Sequence, residues 1–370
     1  MTTPRLFVRG FGAILIALTM VLFLLHVGTS ETPEPLPGTP GRTLVDQAGQ
    51  TLHLSEPVQR IGTPGISMAS LILAIGGGDS LQAVAPEVRD NPWLQRLLPA
   101  SSDLPTPFTR PAGVNLEELL RVRPDLVTLW VGNEPLGKRL EAVGIPVLYL
   151  GYANPEEMKT AARLLGQALG PAASARAETF VRYYDDNLRR VAERLADLPE
   201  SARPKVYYAS ISPLQTEGRD SMIDAWIGAA GGINLAARAG LSRDVQVHLE
   251  DVLAWNPDLI VTLDATQQQA ILTDPRWQDI RAVQQGRVLV SPRGINAWCT
   301  RAAETSLQIL WAARVFHPER FADLDIGAET RRFYQRFYGY ALNDEELARI
   351  LSGAAPLGLT AATPARPLQH

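Results

Sequence analysis

At 370 residues the chain exceeds one ordinary domain and suits two of typical size with additions. With 46% hydrophobic and 20% charged residues it can bury substantial cores, and a net charge of -4 lacks the basic footprint that nucleic acid requires. The single cysteine, Cys299, excludes an intramolecular disulfide and leaves no thiol after the N-terminal apolar run to carry a lipid.

Residues 1–30 stand apart from the rest. Arg5 and Arg9 precede an uncharged apolar run, 11–27, which matches the basic and apolar regions of a secretory signal. The run is close to the lower limit for crossing a bilayer, so an uncleaved N-terminal anchor is the alternative to a signal cleaved near Gly28, Thr29 and Ser30. Either way the expectation is export, to the periplasm, with the membrane as a possible tether point. Residues 31–42 (ETPEPLPGTPGR) read as a Pro-rich tether.

An N-terminal α/β lobe is expected over 43–171. Residues 43–54 alternate around Gln47-Ala48-Gly49, as in a hairpin. A short strand at 60–62 enters a loop at 63–67, and the apolar helix 68–75 is ended by Gly76-Gly77-Gly78. A strand at 83–85 follows, and 90–107, Pro-rich and containing Trp93, reads as irregular. A helix at 135–142 and a strand at 146–150 complete the alternation that argues for a parallel sheet. Between the lobes, Ala177, Phe180, Tyr184, Leu188, Val191 and Leu195 advance by three or four residues, predicting one long helix over 172–198.

The C-terminal α/β lobe, 199–353, restarts with a strand at 205–209 and a polar loop through Gln215, Thr216, Glu217, Gly218 and Arg219. A helix at 222–230, a strand at 287–290, a loop at 291–298 and helices at 301–316, 328–338 and 344–351 follow. The polar tail 354–370 is expected to be disordered.

Two stretches 133 residues apart share one pattern: VNLEELLRVRPDLVTL at 114–129 and VHLEDVLAWNPDLIVTL at 247–263. In each, leucine and valine fall first at helical spacing and then in a short apolar run, so each is a helix feeding a buried strand. Pro124 and Pro257 cannot continue the helix and set the switch. Glu117 and Glu250 occupy the first helical turn, where the helix dipole favours a carboxylate. On these residues alone, helix-start chemistry explains both.

The opening hairpin, the doubled LE…PDL unit, the single long central helix and the closing strand-loop-helix together resemble the solute-binding proteins of iron–siderophore and cobalamin ABC importers, over residues 43–353. The resemblance implies two parallel-sheet α/β lobes joined by one long rigid helix, with the ligand in the cleft between them. It also implies that Glu117 and Glu250 meet arginines of a two-fold permease at the inner membrane, which gives their matching places in the repeat a purpose.

In α/β lobes, ligands sit beyond the carboxyl ends of the strands, which directs attention to 63–67, 87–93, 130–134, 210–219, 264–268 and 293–301. Trp130, Tyr208 and Trp298 are candidate flat walls there, and Arg219 and Arg301 candidate bidentate partners of an anionic chelate. For Trp298, pocket and packing are both open. Arg301 could also cap a carbonyl or pair with Glu304. Trp226, Trp255 and Trp311 read as core, and Cys299 as a small buried apolar residue.

The expected function is capture of a small-molecule metal chelate, a ferric siderophore foremost, by a monomer that needs no cofactor. Cobalamin, haem, an oxyanion such as molybdate or a bare metal ion are the alternatives. The bare ion is the weakest, because the five histidines (His26, His53, His248, His317, His370) are scattered. No G-x-S-x-G, Walker A, G-x-G-x-x-G or H-E-x-x-H motif occurs, so catalysis is not expected. A membrane-held sensor remains a further alternative.

Overall fold

A computed structural model describes residues 41–109 and 113–356. The proposed export segment, all but the last two residues of the tether, and the tail beyond residue 356 lie outside the described residues. Among the described residues, no helix is long and apolar enough to cross a membrane.

The chain opens with β1 (Arg42–Val45) and β2 (Thr51–Leu54), an antiparallel hairpin in register from Arg42↔Leu54 to Val45↔Thr51. Asp46 closes its turn, Oδ1 accepting from the amides of Ala48 and Gln50 at 3.0 and 2.8 Å. Next come β3 (Ile61–Thr63), α1 (Ile66–Ala74), β4 (Leu81–Val84), and a small hairpin of β5 (Phe108–Thr109) and β6 (Gly113–Val114). The first repeat supplies α2 (Leu116–Val122) and β7 (Leu126–Trp130), and β8 (Val147–Leu150) completes a four-stranded sheet in the order β4-β3-β7-β8, all parallel.

Helices α3 (Pro155–Leu169) and α4 (Pro171–Arg194) lead away from this sheet. The second lobe contains β9 (Lys205–Ala209), β10 (Gln215–Thr216), β11 (Ile233–Asn234) and β12 (Val245–Gln246). The second repeat is α5 (Leu249–Trp255) and β13 (Leu259–Thr262), followed by β14 (Val288–Val290) and α6 (Thr305–Phe316). Its sheet runs β11-β9-β13-β14, again all parallel. Leu126 to Leu129 and Leu259 to Thr262 are buried throughout, as strands of a sheet covered on both faces must be.

The two repeats are the same device. Each helix ends on a residue in the left-handed region, Arg123 at φ 54° and Asn256 at φ 43°. The aspartate after the proline then ties the helix exit to the neighbouring strand. Asp125 Oδ2 accepts from the amides of Gln59 and Arg60, each at 2.9 Å, just before β3, and Asp258 Oδ2 accepts from Lys205 N at 2.9 Å at the start of β9. Pro-Asp-Leu is thus a strand-entry clasp, which is why it recurs.

One continuous core runs from the first sheet through α4 into the second lobe, with Ala177, Phe180, Val181, Tyr184 and Val191 of α4 inside it. A smaller cluster of Tyr207, Val247, Ile260, Trp277 and others lies on the far side of the second sheet. Helices α3 and α4 pack closely because Gly166 has no Cβ, which would stand 2.9 Å from Ala177 Cβ. The long helix ends at Arg194, four residues short of the expected 198, since Pro199 forces the preceding chain out of helical geometry.

The stretch read as irregular, 90–107, contains order. A helix Pro92–Leu97 starts with proline in its first turn, and Asn91 Oδ1 caps Leu94 N at 2.8 Å. Trp93 is buried on its inner face against Tyr334, ring centroids 6.2 Å apart.

Candidate functional site

The loop after β14, residues 291–304, is the hub of the space between the sheets. Its Ile295 carbonyl accepts from Asn91 Nδ2 at 2.8 Å, its Ala303 amide donates to Ser70 Oγ of α1 at 3.1 Å, and Asn296 Nδ2 reaches Ser67 Oγ at 3.4 Å. The second lobe's loop therefore lies directly on the first lobe's α1. Beyond this seam opens a cleft of about 730 Å³, walled on the first lobe by Ser67, Trp130, Tyr152 and Glu157 and on the second by Arg243, Asn296, Thr300 and Arg301. A second chamber of about 610 Å³, reaching Ser210, Gln215, Glu217 and Asp244, shares Arg243, Thr300 and Arg301 with the first.

Two of the five residues singled out as ligand contacts line this cleft. Trp130 closes β7, half-buried, its ring edge-on to Tyr152 at 5.0 Å. Arg301 presents Nη2 to Glu217 Oε2 at 2.8 Å, so its partner is Glu217 and not Glu304.

The other three lie elsewhere. Tyr208, in the middle of β9, and Trp298 are both fully buried in the main core and offer no wall to a ligand. The Trp298 backbone N–H donates to Pro292 O at 2.8 Å, which closes the loop on itself. Arg219 is exposed but outside the cleft lining, because Arg219 N pairs with Leu241 O at 2.8 Å and the side chain turns back to donate Nε to Ala237 O at 3.0 Å. Cys299 is fully buried, with Sγ 3.6 Å from the Tyr208 hydroxyl, and burial pushes its thiol pKa up, which makes it a packing residue.

Arg243, which sequence reasoning missed, is exposed and has no hydrogen-bond or ionic partner among the described residues. It rides on a strap, 241–246, whose end is β12, paired antiparallel with β10 through Gln215↔Gln246 and Thr216↔Val245. Gly218 N donates to Ser242 O at 2.8 Å, and Asp244 sits at φ 56° to turn the chain. Strands of two residues leave no periodic trace, and the strap precedes a predicted helix instead of following a predicted strand. The only usable signal was an arginine just before the second repeat. Among the described residues no group of three or more His, Cys, Asp or Glu could hold a metal ion.

At the end of the loop, Glu304 is fully buried. Its Oε1 accepts from Ile295 N at 3.0 Å and from the Tyr334 hydroxyl at 3.4 Å, and burial raises its pKa above the usual 4.5. The folded protein thus binds this proton more tightly than the unfolded chain does. Its contribution to stability is full below pH 4.5 and is lost as pH rises through the folded-state pKa. Glu304→Gln is expected to flatten that decline in a denaturant midpoint measured against pH. An unchanged profile would place the titrating group elsewhere.

The family model described as "Periplasmic binding protein" matches residues 67–293. The chain belongs to that family. It is 29% identical over 261 residues to the molybdate-binding protein MolA of Haemophilus influenzae, covering 64% of this chain and 73% of that protein. It is 28% identical over 287 residues to a cobalamin-binding protein of Halobacterium salinarum, covering 74% and 73%. A periplasmic solute-binding protein from Veillonella parvula, 27% identical, superimposes with a TM-score of 0.74 over 84% of this chain and 97% of its own. As a periplasmic binding protein, the chain shares with that structure the α/β build of two parallel sheets and long helices.

Proposed function

We propose that the chain is the solute-binding component of an ABC importer, and that its cleft takes an anionic metal chelate, a ferric siderophore foremost, for delivery to an inner-membrane permease. The observation that carries this is that Arg243, whose guanidinium has no partner among the described residues, lines with Arg301 a cleft of about 730 Å³. That volume suits a drug-sized molecule, and two forked donors suit carboxylate, catecholate or oxyanion groups. Trp130 adds a flat edge for an organic shell.

A second reading is a bare oxyanion. It is supported by the 29% identity to a molybdate-binding protein and by the same two arginines. Glu117 and Glu250 fit permease docking, being exposed on matching helices α2 and α5, and export with or without a retained N-terminal segment fits the apolar run at 11–27.

Trp130 makes the reading testable by fluorescence. The full chain in detergent, titrated with ferric siderophores, cobalamin, haem, molybdate and bare metal ions, is expected to show saturable quenching by a ferric chelate at micromolar or lower concentration. Saturation by molybdate alone selects the second reading. A response confined to cobalamin or to a bare cation overturns the anionic ligand.

A further inference from the structure

Arg301 and Arg243 both face the two chambers of the cleft, whereas Glu217 faces only the second. Glu217 is nearly buried, and its Oε2 holds Arg301 Nη2 at 2.8 Å. Among the described residues, one of the two cleft guanidiniums, Arg301, is therefore already neutralised and the other, Arg243, is not.

We propose that Glu217 is a resident competitor for the ligand's negative charge: an anionic ligand drawn in by Arg243 takes its place on Arg301, so the cleft selects ligands carrying at least two negative charges. This rests on the anionic-ligand reading above.

Taking the guanidinium from a buried carboxylate leaves that carboxylate without its partner, which is costly in a poorly solvated site. A monoanion offers Arg301 no more than Glu217 already supplies, and gains only Arg243. A dianion or a multiply charged chelate engages both arginines and offsets the cost. Selectivity then comes from a penalty built into the site, applied to every weakly charged competitor.

The other acids of the cleft do not share this role. Glu157 accepts from Ala153 N at 2.8 Å and Asn154 Nδ2 at 3.1 Å, which ties it to the start of α3. Asp244 is engaged by the side-chain amide of Gln215. With Glu217 and Asp244 both in the second chamber, the ligand's charge is directed toward the first, where Ser67 and Asn296 offer polar groups.

Molybdate and perrhenate test the idea, being tetrahedral oxyanions of one shape that differ by one charge, and ferric citrate serves as the chelate. In titrations of the full chain, the wild type is expected to prefer molybdate over perrhenate at least tenfold. Glu217→Gln should tighten perrhenate binding about tenfold, shrink that preference and tighten ferric citrate. In an Arg301→Ala background, Glu217→Gln should tighten perrhenate far less than it does beside an intact Arg301. Glu217→Asp, which keeps the charge but disturbs the packing, should keep the preference. If the aspartate variant loses it too, packing is the cause and the proposal falls. A wild type that binds an anionic probe while Glu217→Gln leaves affinity unchanged or weaker overturns the competitor alone. A wild type that binds none of the three anions overturns the anionic reading as well.

Discussion

Alanine at both Glu117 and Glu250 is expected to abolish uptake by whole cells while leaving ligand affinity unchanged. Glu117 is 78% exposed in its side chain, and its ionic partner is Arg121 one turn on along the same helix. Such an exposed i,i+4 pair is worth a few tenths of a kcal/mol, so a permease arginine would displace Arg121 at little cost. Glu250 is exposed at the same place in the second repeat. One turn further, Leu120 and Leu253 are 44% and 37% exposed, an apolar residue repeated on the same outward face.

The paired surface is thus a carboxylate with a leucine beside it, presented twice, which suits a partner with two equivalent halves. Truncating one member of a desolvated interfacial charge pair costs about 2–5 kcal/mol. Two such losses predict a fall in transport of at least about a thousandfold, with either single variant intermediate. The check is uptake of labelled ligand alongside fluorescence titration of the purified variants. Normal transport by the double variant would sink the docking role, and loss of affinity would show that the substitutions disturb the cleft instead.

What the sequence reveals divides along a physical line. The hairpin, the doubled helix-strand unit and the long α4 are legible because each imposes a period on many residues, and burial of one face enforces it. The helix at Pro92–Leu97 was hidden by Pro92, a residue type that normally breaks helices but here opens one, with Asn91 as cap. Trp298 and Tyr208 illustrate a different limit: an aromatic within a strand or in the loop beyond one fits a cleft wall or a core equally well, and only three-dimensional packing decides. Arg219 pairs with the strap that carries Arg243, and its bonds, Arg219 N to Leu241 O and Nε to Ala237 O, turn it away from the cleft lining. Contacts made by two-residue strands leave no trace in composition or spacing. Glu117 and Glu250, proposed for docking, stand out in the sequence because the repeat itself marks them.

Gly218→Ala is expected to reduce ligand affinity more than tenfold without touching any residue that lines the cleft. A Cβ at Gly218 would stand 2.1 Å from Leu241 O, 2.7 Å from Leu241 C and 3.0 Å from Ser242 O. All three are backbone atoms, so no rotamer change relieves the clash and the strap 241–246 must shift. That shift breaks the bonds from Gly218 N to Ser242 O and from Arg219 N to Leu241 O, both 2.8 Å. At about 1 kcal/mol each, the two lost bonds destabilise the protein by about 2 kcal/mol before strain is counted. Arg243 moves with the strap, and the cleft loses a guanidinium that no described residue neutralises.

Gly228 provides the control. It lies in the helix Met222–Ala229 with nothing within 4 Å of where a Cβ would stand, so alanine there should stabilise by about 0.5–1 kcal/mol and leave binding alone. Denaturant midpoints and chelate titrations of the two variants separate the outcomes. If Gly218→Ala loses stability but binds as tightly as the wild type, the strap does not position the ligand-binding arginine, and Arg301 alone must hold the ligand's charge. If it loses affinity while Arg243→Ala does not, the strap acts through its shape and not through its charge.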